Sequence, residues 1–595
     1  MIDWKTGGAA RMWMSKRSSG ESHGNIRIAR TEFPELPGID APVVKRPPQG
    51  ASGFSRRSAV LVLCVLVIVT AAMLRGIHIG EFSYNVDETQ HAVTGLYVAD
   101  LIRDHPFADP VEYTYRYYAQ YPALSGVIHW PPLFYCCEGL FFLALGPSVI
   151  AARLAIVFFA LLGTVFWFLL VQELLGDWAA AFSAGLLALL PSVLLFEKTV
   201  MLEIPLLACS IAASFFWIRY LFKGRKPDIY WFSLCAAAAL LTKQNGIYLV
   251  PFFILSGLSC GGWRLFLRKE VLRAAALWFA LTLPFYALTY VVHWNTIAMD
   301  LSEKRVGGAA GWLFYPEALP GQLGWTLLGL ALLGVLTCGS WSRPKVSRIM
   351  SSWVLACYLS MTVIGHKEAR YVIYWIPPLL YFASGVLFCF FHKRWLRAIA
   401  VTAALAVFAT ALASAWSFDR PYVTGYAAVS KRILEESKSA IILFDAPLPG
   451  NFIFFMRALD PDRRFLILRK ALYAYRIKKS GGSVDLVHSP SEIDNLLHED
   501  GVRFIVVSDR APLDFESQKM LRDVLKTPAY KELGRFLIGG NDAFPPNDSL
   551  VLYENLNWTA PAAKYLRIKM LTLDHDIVVP WDSFDTLQIR KLPPP

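Results

Sequence analysis

Charge is what this chain has least of. Asp, Glu, Lys and Arg make up 17% of its 595 residues, against about 25% in soluble domains, so a wholly soluble protein is excluded. Cysteine is missing from the C-terminal third. All nine lie between Cys64 and Cys389, within or beside apolar runs, so the C-terminal part has neither a disulfide framework nor a zinc site. That part also lacks a glycine-rich nucleotide fingerprint. No internal repeat is visible, whereas transporters usually show pseudo-symmetric halves. Residues 1–57 are rich in Ser, Gly, Arg and Pro and open with no apolar h-region. They read as a disordered cytoplasmic tail and not as a cleaved signal peptide.

Apolar and aromatic residues are abundant instead: 55% hydrophobic and 14% aromatic, with a mean hydropathy of +0.41. The length is too great for one ordinary core. A polytopic membrane protein with a soluble part attached is expected. The net charge of +12 comes from basic residues clustered beside apolar runs. This is the pattern of topology-setting charge and not of a phosphate-binding stripe, so no nucleic acid partner is expected.

Apolar runs predict eleven crossings. They begin at Ser58 and continue near 150–175, 178–196, 204–222, 229–242, 246–262, 273–292, 321–338, 349–365, 371–391 and 397–415. Arg56 and Arg57 precede the first, and "KGRK" (223–226), "WRLFLRKEVLR" (263–273), "SRPKVSR" (342–348) and "HKRWLR" (392–397) fall in alternate connections. The positive-inside rule puts these in the cytoplasm. The parity holds only if "PPLFYCCEGLFFLALG" (131–146) does not cross. It is short and opens on two prolines, so an interfacial or re-entrant helix on the outer face is expected. Residues 58–415 then form a membrane domain with a large first outer loop, 80–149. Residues 416–595 lie outside. There "AIILFDA", "RFLILR", "RFIVVSD" and "SLVLYEN" read as strands and "DFESQKMLRDVLK" as a helix, which suggests an α/β domain.

On this topology polar groups gather at one face: Asp87 and Glu88 in "NVDETQH", His129, Glu203, Lys243, and His366, Lys367 and Arg370 in "HKEAR". Each alone has an ordinary role: a solvated turn, a snorkelling acid, a loop lysine, an interfacial charge cluster. Acids and cations converging at one membrane depth need a better reason. A sugar carried on a polyprenyl phosphate supplies one. Its phosphate lies at headgroup level, where Lys243 and Arg370 would bind it. A carboxylate would take the proton from an attacking hydroxyl.

The motifs, taken in order, resemble the GT-C glycosyltransferase superfamily, in particular its protein O-mannosyltransferase and aminoarabinose transferase branch. The resemblance is carried by "VDETQH", "HWPPLFY" (129–135), "LGPSVIAARL" (145–154), "FEKTVMLEIPL" (196–206) and "HKEARYVIYWIPPL" (366–379). It covers roughly 58–400. It implies an all-α polytopic membrane protein of GT-C type, of about eleven transmembrane helices, with a C-terminal extracytoplasmic α/β domain. It also implies inverting transfer from a polyprenyl-phosphate-linked sugar to a glycan, lipid or protein acceptor on the outer face of a cell membrane, bacterial inner membrane being the expected setting. Asp87, Glu88 and Glu203 would be the catalytic acids. His366, Lys367, Lys243 and Arg370 would hold the donor phosphate. Tyr117 and Tyr118, in the aromatic run 112–122, and His129 would contact substrate; an interfacial aromatic belt is an equal reading of that run. No convincing metal-ligand set is present and no cofactor is expected, although some superfamily members need a divalent metal. Two other readings are a flippase or transporter of lipid-linked glycans and a membrane scaffold. The first lacks its usual repeats, and the second leaves the outer-face acids without a role.

Overall fold

A computed structural model describes residues 55–106, 108–124, 130–302, 308–390, 393–469, 471–475, 482–570 and 576–584. The expected tail, up to residue 54, and His129 lie outside the described residues. Helix α1 (Arg56–Leu74) starts with a capping box between Ser55 and Ser58. The Ser58 hydroxyl donates to Asp177 (2.9 Å), and Gln172 donates to both. Lys223 pairs at 2.7 Å with Glu173, the residue after Gln172. This polar knot ties the start of α1 to the turn between α5 (Val149–Leu175) and α6 (Asp177–Leu189).

Between α1 and α5 the chain makes three helices that do not span: α2 (Val86–Asp104), α3 (Pro110–Gln120) and α4 (Leu133–Leu145). Helix α4 is apolar but has only 13 residues, roughly 20 Å at 1.5 Å per residue, too short to cross a bilayer. It lies against α2 with Gly139 facing the Ala99 backbone and Gly95 facing the Glu138 side chain, where any Cβ would meet its neighbour at 3.2 Å and 2.2 Å respectively.

The bundle continues through α7 (Pro191–Glu197), α8 (Glu203–Lys223), α9 (Lys226–Leu240), α10 (Leu249–Gly261), α11 (Lys269–Ser302), α12 (Gly308–Trp341), α13 (Pro344–Val363), α14 (Ile376–Gly385) and α15 (Arg394–Ser417). Among the described residues eight helices are long and apolar enough to span, or nine if α6 and α7, bent by 65°, make one crossing. Eleven crossings are expected from the sequence. The two that fall short are α9, of 15 residues, and α10, of 13 residues behind a 3-10 turn. The extended backbone at Lys243 interrupts what would otherwise be one apolar run. The segment expected as a loop at 293–320 is largely helical, as the end of α11 and the start of α12.

The C-terminal part is built on a five-stranded sheet. Its strands are β1 (Ala440–Asp445), β2 (Phe465–Leu468), β3 (Val502–Ser508), β4 (Tyr530–Leu537) and β5 (Ser549–Asn555), in the order β2-β1-β3-β5-β4. β1 pairs in parallel with β2 and β3, and β5 runs antiparallel to β3 and β4. All six residues of β1 are buried, as a continuous apolar run in a parallel sheet requires. Helices α16 (Tyr426–Glu436), α17 (Pro449–Leu459), α18 (Pro490–Glu499) and α19 (Glu516–Val524) accompany the sheet. The four expected strands and the expected helix are all present. β4 escaped notice because its residues alternate weakly and are mostly exposed or half-exposed.

This part is not a detached appendage. Phe82 of the first loop meets Phe454 of α17 edge-on at 4.8 Å, and one core of buried residues runs from the bundle through Phe82 into α16 and α17. The first loop and the C-terminal part therefore lie on the same side of the bundle.

Candidate active site

Four chain segments converge at that end. Asn85 caps α2 by accepting the Asp87 N–H at 3.1 Å, which sets Asp87 in the first helical turn. Glu203 opens α8, where the helix dipole favours an acid. Lys243 and Glu368 each have extended backbone ahead of a 3-10 turn, Gln244–Tyr248 and Ala369–Trp375. Tyr248 and Tyr374 from these turns stack at 5.4 Å and hold them side by side.

The side chains form one ion network. Lys243 Nζ lies 2.6 Å from Glu203 Oε1. The Arg370 guanidinium donates to Asp87 Oδ2 (3.0 Å) and faces Glu203 Oε1 (3.6 Å) and Glu368 (2.5 Å). His366 bonds Glu368 at 2.7 Å. Glu203 and Lys243 are buried, whereas the Asp87 side chain keeps 25% of its exposure. The network is incomplete. Glu203 Oε2 and Arg370 Nη1 are buried without a hydrogen bond, a costly arrangement in a completed fold. Burial opposes the charge on Asp87. Arg370, through its charge and its hydrogen bond, and the Lys243 charge outweigh it and hold the carboxyl below its ordinary range.

The other expected site residues sit elsewhere. Glu88 is 1% exposed; it accepts from Ser83 N–H (2.8 Å), Ser83 hydroxyl (2.7 Å) and Val200 N–H (2.9 Å). It therefore ties the loop to the α7–α8 connection and is not open to an acceptor. Lys367 donates to the Thr362 and Ile364 carbonyls at 2.7 and 3.1 Å, away from the network. Tyr117 is turned into the protein. It is 4% exposed and its hydroxyl donates to Asp100 at 2.9 Å. Tyr118 is half-buried against the C-terminal core.

Two contributors were missed. His91 lies one helical turn after Asp87, is 2% exposed and bonds the Tyr135 hydroxyl through Nδ1 at 2.7 Å. Burial pushes its imidazole down to about 4, so it is neutral. The signal was the i, i+4 spacing inside "DETQH". Arg153, in the "ARL" of the resemblance motif, is 1% exposed and donates to the Ile77 (2.8 Å) and Glu81 (2.5 Å) carbonyls. Among the described residues no group of three or more His, Cys, Asp or Glu is placed to hold a metal ion.

The family model of dolichyl-phosphate-mannose-protein mannosyltransferases matches residues 129–288. No curated protein sequence matches the chain. The fold is similar to that of ArnT from Cupriavidus metallidurans bound to undecaprenyl phosphate, with 14% identity, 85% of this chain and 98% of that chain covered, and a TM-score of 0.55. Its apo state gives a TM-score of 0.56 over 83% and 97% of the two chains at 14% identity. Arabinofuranosyltransferase AftD from Mycobacteria is similar over 85% of this chain and 40% of that one, at 13% identity and a TM-score of 0.50. The chain is thus a multi-pass membrane protein with the fold of the GT-C glycosyltransferases. The family match, together with that fold, supports membrane glycosyltransferase activity without specifying the sugar.

Proposed function

We propose that this protein moves a sugar from a polyprenyl-phosphate donor to an acceptor hydroxyl, with inversion, at the outer face of the membrane. The observation that carries the reading is the unfinished ion network: Asp87, Glu203, Lys243 and Arg370 meet from four segments, with one buried guanidinium nitrogen unbonded. An arriving phosphate oxygen would complete it. The family match over residues 129–288 and a fold similar to that of ArnT bound to undecaprenyl phosphate agree with this donor class.

Asp87 acts as the base. It accepts the acceptor's hydroxyl proton as that oxygen bonds to the anomeric carbon. The bond from the anomeric carbon to the phosphate oxygen breaks on the opposite face, and its electron pair leaves with the polyprenyl phosphate. Lys243 and Arg370 stabilise the charge that grows on the departing phosphate. Glu203, held between them, fixes both cations. The low-lying carboxyl of Asp87 keeps it anionic but a weak base, so it assists only as the new bond forms. The lipid tail stays in the bilayer, and the acceptor, a glycan, lipid or protein, approaches from the side of the C-terminal part. A multi-pass protein of a bacterial inner membrane, with residues 416–595 extracytoplasmic, is the setting proposed.

The test is transfer by the purified protein in lipid nanodiscs from defined undecaprenyl-phosphate sugars, with the product's anomeric configuration read by NMR. Transfer with retained configuration would overturn the single-displacement mechanism. Turnover that does not depend on the lipid phosphate would overturn the donor class.

A further inference from the structure

We propose that Glu81 is a positioning residue through which the C-terminal part sets the place of Asp87; the inference rests on Asp87 being the base. Helix α16 begins at Gly425 with no side-chain cap of its own, so its first N–H groups need an acceptor from elsewhere. Glu81 supplies it. Its carboxylate accepts from the N–H groups of Gly425 (3.1 Å), Tyr426 (3.1 Å) and Ala427 (2.9 Å). Its own N–H donates to the Val423 carbonyl at 2.9 Å, and its carbonyl accepts from Arg153. All the polar groups of this one residue are therefore engaged, with α5 on one side and the C-terminal part on the other.

The tether extends both ways along the loop. Upstream, Arg420 donates to the Gly76 carbonyl (2.8 Å) and the Ile79 carbonyl. Gly80 has a φ of +65°, and a Cβ there would lie 2.1 Å from the Tyr422 ring, so only glycine lets that ring lie flat on the loop. Downstream, the Phe82 carbonyl accepts from Val423 N–H at 2.9 Å and Tyr84 N–H donates to Asp542 at 2.6 Å. Ser83 is closed onto Glu88, the residue after Asp87. Among the described residues the segment from Gly76 to Glu88 is held to the membrane bundle through Arg153, Val200, Met201 and the Asp87–Arg370 pair, and to the C-terminal part through residues 420–427, Phe454 and Asp542. Asp87 can shift only with that segment. Lys243, Glu203 and Arg370 stand on other elements and meet this segment through the Arg370–Asp87 and Val200–Glu88 bonds, so the donor's phosphate contacts depend on it less than Asp87 does.

A purely structural clamp and a positioning clamp differ in what they move. In full-length protein in nanodiscs, Glu81→Ala should lower kcat about tenfold to a hundredfold, the scale of misplacing a reacting group by up to about 1 Å, with KM for the undecaprenyl-phosphate donor unchanged. Glu81→Gln keeps an acceptor oxygen at the same reach and should recover most of that loss. Should Glu81→Ala not fold, Glu81→Asp carries the test, because it keeps the charge but falls one methylene short; its kcat should also drop at constant KM. Wild-type kcat in the folded variant overturns the proposal. So does a loss matched by a rise in KM or by a fall in folded protein. Asp87→Asn run in parallel separates the two readings. If Asp87→Asn is inactive and Glu81→Ala is normal, only the positioning role fails; if Asp87→Asn is normal, the base assignment itself fails.

Discussion

Helix α2 carries an ion cluster near each end, and the two are built in opposite ways. Near its C-terminal end, Asp100 is gripped by Arg457 through both oxygens, at 2.8 and 2.5 Å, and capped by the Tyr117 hydroxyl. Both partners of that pair are almost wholly out of solvent, at 1% and 2%. One turn on, Asp104 takes Arg463 and the Tyr113 hydroxyl. Every strong acceptor there is used. At the N-terminal end Asp87 holds one nitrogen of Arg370, keeps a quarter of its surface, and shares that arginine with Glu203 and Glu368. A closed pair holds two parts of a protein together. An open one, with buried polar atoms left unbonded, is prepared for something that is not yet there.

The contrast can be broken at either end. Asp87→Asn keeps shape and removes the base, so turnover should fall about 10²- to 10⁴-fold while thermal unfolding stays near wild type. Because the Asp87 carboxyl is depressed, its ionised form persists as the pH falls towards the ordinary Asp value near 3.8. The wild-type rate should therefore show no acid limb from this group between neutrality and about pH 4. A limb that vanishes in the variant but lies near pH 6 would contradict the placement of Asp87 beside Arg370. At the other end, Arg457→Ala leaves Asp100 charged and buried, which costs about 3–5 kcal/mol and should show as a large drop in the unfolding midpoint. The double change Asp100→Leu with Arg457→Met should restore most of that stability, whereas no apolar replacement of Asp87 and Arg370 should restore turnover.

Smaller effects sharpen the comparison. Lys243→Ala should weaken donor binding by about tenfold or more, the equivalent of 1.5–3 kcal/mol. Pairing it with Glu203→Gln separates a lost phosphate contact from the cost of a stranded acid: stability should return and affinity should not. Unaltered donor affinity in titrations of both variants would move the phosphate site elsewhere. The smallest change is Tyr117→Phe. It removes one bond to a closed cluster and should cost about 1.5 kcal/mol of stability with no change in the kinetics of any sugar substrate.

Legibility in the sequence followed the range of the interactions. Asp87, Glu203, Lys243 and Arg370 stood out because charges beside apolar runs need a reason, and the family-like motifs brought them into one order. The short α4 was read as non-spanning from its prolines and length. The setting of Tyr117 is not legible locally, because Asp100, which its hydroxyl meets, is held by an arginine 357 residues away, a relation no local pattern carries. Lys367 looked like its neighbour Arg370, yet the backbone turn sends it to two carbonyls of the preceding segment. Four of the five strands of the C-terminal sheet are visible in their apolar runs. Its fusion with the first loop is not, because Glu81, Arg420 and Arg457 resemble ordinary surface charges until their partners are known.

The bond from Ala427 to Glu81 joins residues 346 apart, and that distance has a meaning during biogenesis. At about 5–20 residues per second, on the order of tens of seconds pass between synthesis of the first outer loop and synthesis of the residues that hold it. Throughout that interval Asp87 lacks most of its supports. A chain stopped at residue 415 would contain every side chain of the ion network, yet the loop that carries Asp87 would lack its bonds to residues 420–427 and Asp542.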